Sequence, residues 1–167
     1  MAISRLIIND VGPFLPWQAL HRLGNAVRTA TRDFPDLNAA LAYFRTTLAP
    51  FGALSDAEWL HLARHSIAPA PDGGWRKVND PDITASFRAG LFFNLSLWTY
   101  WDAIKCPTLV LRGTESDLLL PSTVAEMARR GPRAHLAEFP DCGHAPALMD
   151  PMQIETILTW LQDASLE

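Results

Sequence analysis

Two residues capable of acid–base chemistry, His144 and Asp117, each follow an apolar run that predicts a buried strand. His144 comes shortly after residues 134–139, and Asp117 comes shortly after residues 106–112. The carboxyl ends of neighbouring parallel strands meet at one edge of a sheet, where open α/β sheets place their ligands. A carboxylate at that edge can accept the Nδ1 hydrogen of an imidazole and hold the ring as a general base. The sequence therefore predicts an acid–base pair of Asp117 and His144.

Composition excludes several classes of protein. The chain has 167 residues, of which 49% are hydrophobic and 19% charged, which is typical of one folded domain and not of a disordered segment. Its net charge of -4 and scattered basic residues argue against a nucleic-acid surface. No apolar run approaches the roughly 20 residues of a membrane span, and no signal peptide is recognisable. Free thiols at Cys106 and Cys142 and these absences favour a cytoplasmic protein.

Apolar residues at helical spacing predict a series of helices between and after the strands. Asp36 is a predicted N-cap, and Ser55 with Glu58 forms the pattern of a capping box. The helices predicted in this way are residues 17–28, 36–48, 55–65, 82–91, 92–104, 122–130 and a terminal helix that begins at Asp150. The terminal helix has the clearest apolar stripe, formed by Ile154, Ile157, Leu158 and Leu161. A further short strand is predicted at residues 5–9, with its apolar side chains buried on both faces.

Three segments, taken in order, resemble the carboxyl-terminal part of an α/β-hydrolase. They are residues 6–13 (LIINDVGP), residues 106–113 (CPTLVLRG) followed by Ser116 and Asp117, and residues 139–146 (FPDCGHAP). In the family these correspond to strand six, strand seven with the catalytic acid, and strand eight with the catalytic histidine. The resemblance implies an α/β fold with a short parallel sheet flanked by helices and carrying a helical cap. It implies a partial core at residues 1–16 and 105–167, and a cap with connecting helices at residues 17–104.

The resemblance also assigns roles in a triad. Asp117 corresponds to the acid and His144 to the base, while Asp10 is the alternative acid, because some family members carry the acid after strand six. The family's nucleophile is a serine in a G-x-S-x-G turn. The serines lie at positions 4, 55, 66, 86, 96, 116, 122 and 165, and none has glycine both two residues before and two residues after it. We therefore expect the chain to be truncated relative to the family and inactive by itself.

Aromatic residues in the predicted cap and just before it would line an apolar pocket for an acyl or alicyclic group. These residues are Phe14, Trp17, Phe44, Phe51 and Trp59. No metal-ligand spacing is present among the five dispersed histidines, and we predict neither a metal nor a cofactor.

The resemblance implies hydrolysis of a carboxylic ester or lactone, with a small ester-like molecule as substrate and no nucleic-acid or membrane partner. Two alternatives stay open: a non-catalytic remnant that acts as a binding module, and a family member acting on C–C, C–halogen or epoxide bonds. The strand at residues 5–9 would be a central strand in the family. We therefore expect self-association, or pairing with a missing amino-terminal half, to cover its open edge.

Overall fold

The computed structural model describes residues 3–71, 73–80 and 92–163 of the chain. The strands in these residues are β1 (Leu6–Asn9), β2 (Phe14–Leu15), β3 (Asp33–Phe34), β4 (Ile67–Pro69), β5 (Trp75–Lys77), β6 (Leu95–Ser96), β7 (Thr108–Gly113) and β8 (His135–Phe139). The helices are α1 (Trp17–Arg28), α2 (Leu37–Thr47), α3 (Asp56–Ser66), α4 (Trp98–Ala103), α5 (Pro121–Met127) and α6 (Pro151–Gln162), with a 3₁₀ turn at Ala49–Phe51. None of these helices is long and apolar enough to cross a membrane.

The main sheet consists of three parallel strands in the order β1-β7-β8. Every residue of β7 is buried, because this strand has a neighbour on each side and apolar layers on both faces. Val110 packs with Trp101, Leu119 and Met127 on the face toward α4 and α5. The residues on either side of Val110 pack against α6 on the opposite face, where Leu109, Leu111, Phe139, Cys142 and Trp160 form one cluster. The period of two along a strand thus produces the covered parallel sheet that the sequence predicts.

The segment between β1 and β7, called the insert below, has an apolar core of its own. Its helices α2 and α3 pack against each other and against a small antiparallel sheet with the order β3-β5-β4. Phe34, Ala40, Phe44, Trp59, Ala63 and Ile67 form that core. Both predicted caps are confirmed: the Asp36 carboxylate accepts from Ala39 N–H, and Ser55 and Glu58 form a capping box.

Several predicted boundaries differ from the structure. The segment at residues 92–104 is helical only over Trp98–Ala103, because Leu95 and Ser96 pair instead with Leu15 and Phe14 as a short antiparallel ladder. The helix predicted at 122–130 is α5, which begins at Pro121 and ends at Met127. The helix predicted at residues 82–91 lies outside the described residues.

The predicted burial of the strand at residues 5–9 is wrong in detail. The residues of β1 are half-buried, since within the described residues β1 is the terminal strand of its sheet and pairs with β7 alone. The stripe of α6 is largely exposed: Ile154, Leu158 and Leu161 are 42%, 50% and 43% exposed. The helix instead turns Trp160 toward the sheet, where it contacts the cluster around Leu111.

Candidate active site

The carboxyl ends of β1, β7 and β8 converge on one site at the edge of the main sheet. Asp10 directly follows β1, and its N–H donates to the Leu111 carbonyl at 2.8 Å, which continues the pairing with β7. Residues 114–117 follow β7, and residues 140–144 follow β8. The parallel register of the three strands thus places Asp10, Ser116 and His144 together.

His144 contacts Asp10 twice through the same ring nitrogen. Its Nδ1 lies 2.9 Å from the Asp10 Oδ2 atom and 3.0 Å from the Asp10 backbone carbonyl oxygen. A carbonyl oxygen only accepts hydrogen bonds, so Nδ1 must carry the hydrogen, and in the neutral ring Nε2 keeps the lone pair. The His144 side chain is 23% exposed, whereas that of Asp10 is fully buried. This is the geometry of an imidazole held as a general base by a buried acid.

The buried Asp10 carboxylate also has protein donors on both oxygens. Gly113 N–H donates to Oδ1 at 3.0 Å, and the Ser116 hydroxyl donates to Oδ2 at 2.6 Å. Removing a carboxylate from water is costly unless its oxygens receive hydrogen bonds in exchange. With the His144 ring included, the carboxylate receives three hydrogen bonds, which offset the cost of its burial.

The predicted hydrogen bond between Asp117 and His144 is not what the structure shows. Both Asp117 oxygens instead accept from Arg22 of α1, from Nε at 2.7 Å and from Nη2 at 2.5 Å. The Arg22 hydrogen bonds hold the pKa of the Asp117 carboxyl below its usual value, with smaller contributions from the charges of Arg22 and His144. The loop after β7 turns so that Ser116 faces Asp10, and its neighbour Asp117 faces the insert. The alternative acid, Asp10, therefore occupies the position expected of Asp117.

Backbone contacts fix the two loops against each other. Glu115 N–H donates to the Cys142 carbonyl at 2.9 Å, and Gly143 N–H donates to the Pro50 carbonyl of the insert at 2.7 Å. A Cβ atom on Gly113 would lie only 2.4 Å and 2.5 Å from the carbonyl oxygens of Cys142 and Gly143. Glycine at position 113 is therefore required for the close approach that brings His144 to Asp10.

A buried arginine supports the loop after β7. Arg112 is 4% exposed, and its guanidinium donates to the Leu119 and Thr114 carbonyls and to the Glu138 carboxylate. These contacts join the strand, its loop and β8 around one cation. Arg112 and Arg22 carry no signal in the sequence that marks them as part of the site. Ser116, in contrast, follows β7 as closely as Asp117 and has the same positional signal.

The structure does not gather the predicted pocket residues around one cavity. Phe44 and Trp59 are buried in the apolar core of the insert. Phe51 lines a cavity of about 190 Å³ beside Asp141 and Cys142, and Phe14 lines a separate one beside Trp98. Trp17 is 41% exposed on α1. Packing within the insert accounts for the positions of Phe44 and Trp59. Helical spacing alone does not distinguish a core residue from one that lines a pocket.

Of the two cysteines, Cys142 lies in the loop that carries His144. Cys106 and Cys142 are both free thiols, and burial raises the pKa of Cys142, which makes it a weak nucleophile. Its Sγ contacts the Phe139 carbonyl at 3.5 Å. Within residues 3–71, 73–80 and 92–163, no three metal-ligating side chains come together.

Comparisons with known proteins agree with this architecture. A sequence model of the alpha/beta hydrolase family matches residues 2–154. A 3-hydroxybutyrate-oligomer hydrolase of Cupriavidus necator is 39% identical over 160 residues, which are 91% of this chain and 54% of that protein. Crystal structures of a Rickettsia typhi protein and of an alpha/beta hydrolase from Novosphingobium aromaticivorans superpose with TM-scores of 0.85 and 0.79, each at 30% identity. They cover 95% of this chain and 53% and 56% of those chains, so the chain spans about half the length of these relatives.

Proposed function

Because the chain belongs to the alpha/beta hydrolase family, we propose that it supplies the acid and the base of a carboxylic-ester hydrolase. His144 is the base and Asp10 is the acid. The observation that carries this assignment is the double contact of His144 Nδ1 with the side chain and the carbonyl of Asp10. That contact leaves Nε2 with a lone pair at the carboxyl edge of the sheet, where a substrate of an open α/β sheet binds.

In the proposed reaction, His144 Nε2 takes the proton of a serine hydroxyl as the serine attacks the ester carbonyl. The ring then gives this proton to the departing alcohol, and it takes another from the water that hydrolyses the acyl-enzyme. Asp10 stays ionised and stabilises the imidazolium that forms in each half of the reaction. The serine comes from polypeptide outside the 167 residues, since no G-x-S-x-G turn occurs within them.

The edge of β1 is where that polypeptide would join the sheet. The N–H groups of Leu6 and Asp10 point toward β7, so the alternating groups of Ile7 and Asn9 point away from it. A parallel strand carrying the serine loop would pair with those groups. It would also cover the half-buried side chains of β1, and the pairing would place its loop at the same edge as His144.

The substrate class that we propose is an ester of a short hydroxy acid. Support comes from the 39% identity to a protein named for the hydrolysis of 3-hydroxybutyrate oligomers, which extends over 91% of this chain. Such oligomers are linear carboxylic esters, and this is the bond that a histidine-activated serine cleaves. Acid–base pairs of the same kind also serve C–C, C–halogen and epoxide cleavage, and the identity of the nucleophile separates these reactions.

A chimera tests the proposal directly. In it, this chain replaces the matching 160-residue stretch of the Cupriavidus necator hydrolase, whose remaining part provides the other half of the fold. We expect the chimera to hydrolyse the 3-hydroxybutyrate dimer. The His144→Ala and Asp10→Asn variants should lower kcat by about 10³- to 10⁴-fold.

Asp117→Asn is the matched control, because it removes the same charge from a neighbouring loop while leaving the contact between Asp10 and His144 intact. We expect this variant to retain most of the activity. A folded chimera without activity would contradict the proposal, as would activity that survives His144→Ala. Equal losses in Asp10→Asn and Asp117→Asn would contradict the choice of Asp10 as the acid.

A further inference from the structure

The Ser116 hydroxyl lies at the centre of a buried network beside the acid. The residue is 6% exposed, and its Oγ lies 2.6 Å from Asp10 Oδ2. The same oxygen accepts from the backbone N–H groups of Leu118 at 3.2 Å and Leu119 at 3.0 Å. Ser116 thus connects the loop after β7 with the acid that follows β1.

The direction of the hydroxyl hydrogen follows from these partners. A serine hydroxyl has one hydrogen and two lone pairs, and backbone N–H groups can only donate. The two amides occupy the lone pairs, so the single hydrogen points at Asp10 Oδ2. An ionised carboxylate has no hydrogen to offer in return, which makes the contact a charge-assisted hydrogen bond with a fixed direction.

That oxygen of Asp10 is also the one that accepts from His144. Its partner, Oδ1, is held by Gly113 N–H at 3.0 Å. With a donor fixed on each oxygen, the carboxylate cannot rotate about its Cβ–Cγ bond without breaking a buried hydrogen bond. Gly113 and Ser116 therefore set the plane of the carboxylate, and with it the direction of the Oδ2 lone pairs, independently of the imidazole.

We propose that Ser116 is a positioning residue for the Asp10–His144 pair: its hydroxyl orients the Asp10 carboxylate so that Oδ2 accepts the His144 Nδ1 hydrogen. Its fully used hydrogen-bonding capacity also makes Ser116 unsuitable as a nucleophile. The catalytic consequence rests on the proposed function, whereas the orientation itself is a property of this chain and is testable without any activity.

The test is proton NMR of the His144 Nδ1–H in the 167-residue protein. In the unaltered protein this proton should resonate far downfield, since it is bonded to a carboxylate and shielded from water. In Ser116→Ala the carboxylate keeps the Gly113 N–H on Oδ1 but loses the hydroxyl that fixes Oδ2. We therefore expect the resonance to move upfield or to disappear through exchange with water. Ser116→Thr keeps the hydroxyl and should retain the downfield resonance.

Ser122→Ala is the matched control, because Ser122 is an exposed serine of α5 and its loss should leave the resonance unchanged. The backbone amide spectrum shows whether each variant is folded. If Ser116→Ala fails to fold, Ser116→Cys keeps a side chain of similar shape with a weaker donor, and it should give the upfield shift in a folded protein.

The NMR spectra of Ser116→Ala distinguish two roles of Ser116. If the residue only supports its own loop, Ser116→Ala will shift the amide resonances of Leu118 and Leu119 and leave the His144 resonance in place. That result, or a downfield shift, would overturn the proposal. In the active chimera, the lost hydrogen bond to a charged group should lower kcat by roughly tenfold or more. An inactive chimera with a normal His144 resonance would contradict the proposed function and leave the positioning role standing.

Discussion

His144 donates its Nδ1 hydrogen to the Asp10 carboxylate at 2.9 Å, across a separation of 134 residues in the chain. The two residues follow different strands, β8 and β1, which do not pair with each other but lie on either side of β7. The contact therefore exists only when both strands are in register with β7. The contact between Asp10 and His144 and the register of the sheet therefore depend on each other, and substitutions at either residue should change the free energy of unfolding.

Asp10→Asn should destabilise the chain strongly. The fully buried carboxylate accepts three hydrogen bonds. Asparagine would replace one accepting oxygen by an NH₂ group, which would face an N–H or O–H donor and leave a buried hydrogen bond unmade. A hydrogen bond to a charged group contributes about 1.5–3 kcal/mol, and we expect a loss of about 2–3 kcal/mol in the free energy of unfolding. Urea denaturation measures it. If Asp10→Asn lowers the free energy of unfolding by no more than Asp117→Asn does, the Asp10 carboxylate does not stabilise this network.

The ion pair between Arg22 and Asp117 should contribute to stability only above acid pH. Since the pKa of Asp117 is lower in the folded than in the unfolded chain, this contribution is present above the unfolded value near pH 4. It is lost as the pH falls through the folded value. Both side chains are about half exposed, so we expect less than about 1 kcal/mol. The melting temperature of Asp117→Asn should equal that of the parent protein at low pH and lie below it near neutral pH. The same difference in melting temperature at both pH values would contradict this prediction.

Gly113→Ala should separate the two loops of the site. The added Cβ would meet two backbone carbonyl oxygens at 2.4 Å and 2.5 Å, which cannot move like a side chain. We expect a loss of about 2–3 kcal/mol in thermal or urea unfolding, together with a shifted His144 ring resonance. Gly143→Ala is the control, because a Cβ there would meet its nearest neighbours at 3.4–3.7 Å. Equal effects of the two substitutions would contradict the account of the close approach.

The isolated chain should self-associate at micromolar concentration. Among the described residues β1 pairs with β7 alone, so its other edge is open to a further strand. Helix α6 also exposes the apolar side chains of Ile154, Leu158 and Leu161. Light scattering should show species larger than 18.5 kDa. Leu158→Lys should reduce their size, whereas Gln162→Lys, at an exposed polar position, should not. A monodisperse 18.5 kDa species with a cooperative melt would show that the edge is stable without a partner.

The sequence alone was enough to predict the parallel strands, the capped helices and the position of His144. These follow from local properties: β7 is a continuous apolar run, and the caps at Asp36 and Ser55 depend on residues three positions away. The motifs at residues 106–113 and 139–146 also indicated the family that the comparison with known proteins confirms.

The choice between Asp10 and Asp117 required the tertiary structure. Each follows a parallel strand and each would reach the edge where His144 lies, so spacing along the chain treats them alike. Asp117 differs because Arg22, 95 residues earlier, reaches it from the insert, and Ser116 takes the place beside Asp10. The orientation of α6 was decided in the same way, since burial of Trp160 against the sheet turns the predicted stripe outward. Sequence periodicity specifies which residues share a face, whereas the partner of that face is set by contacts between distant segments.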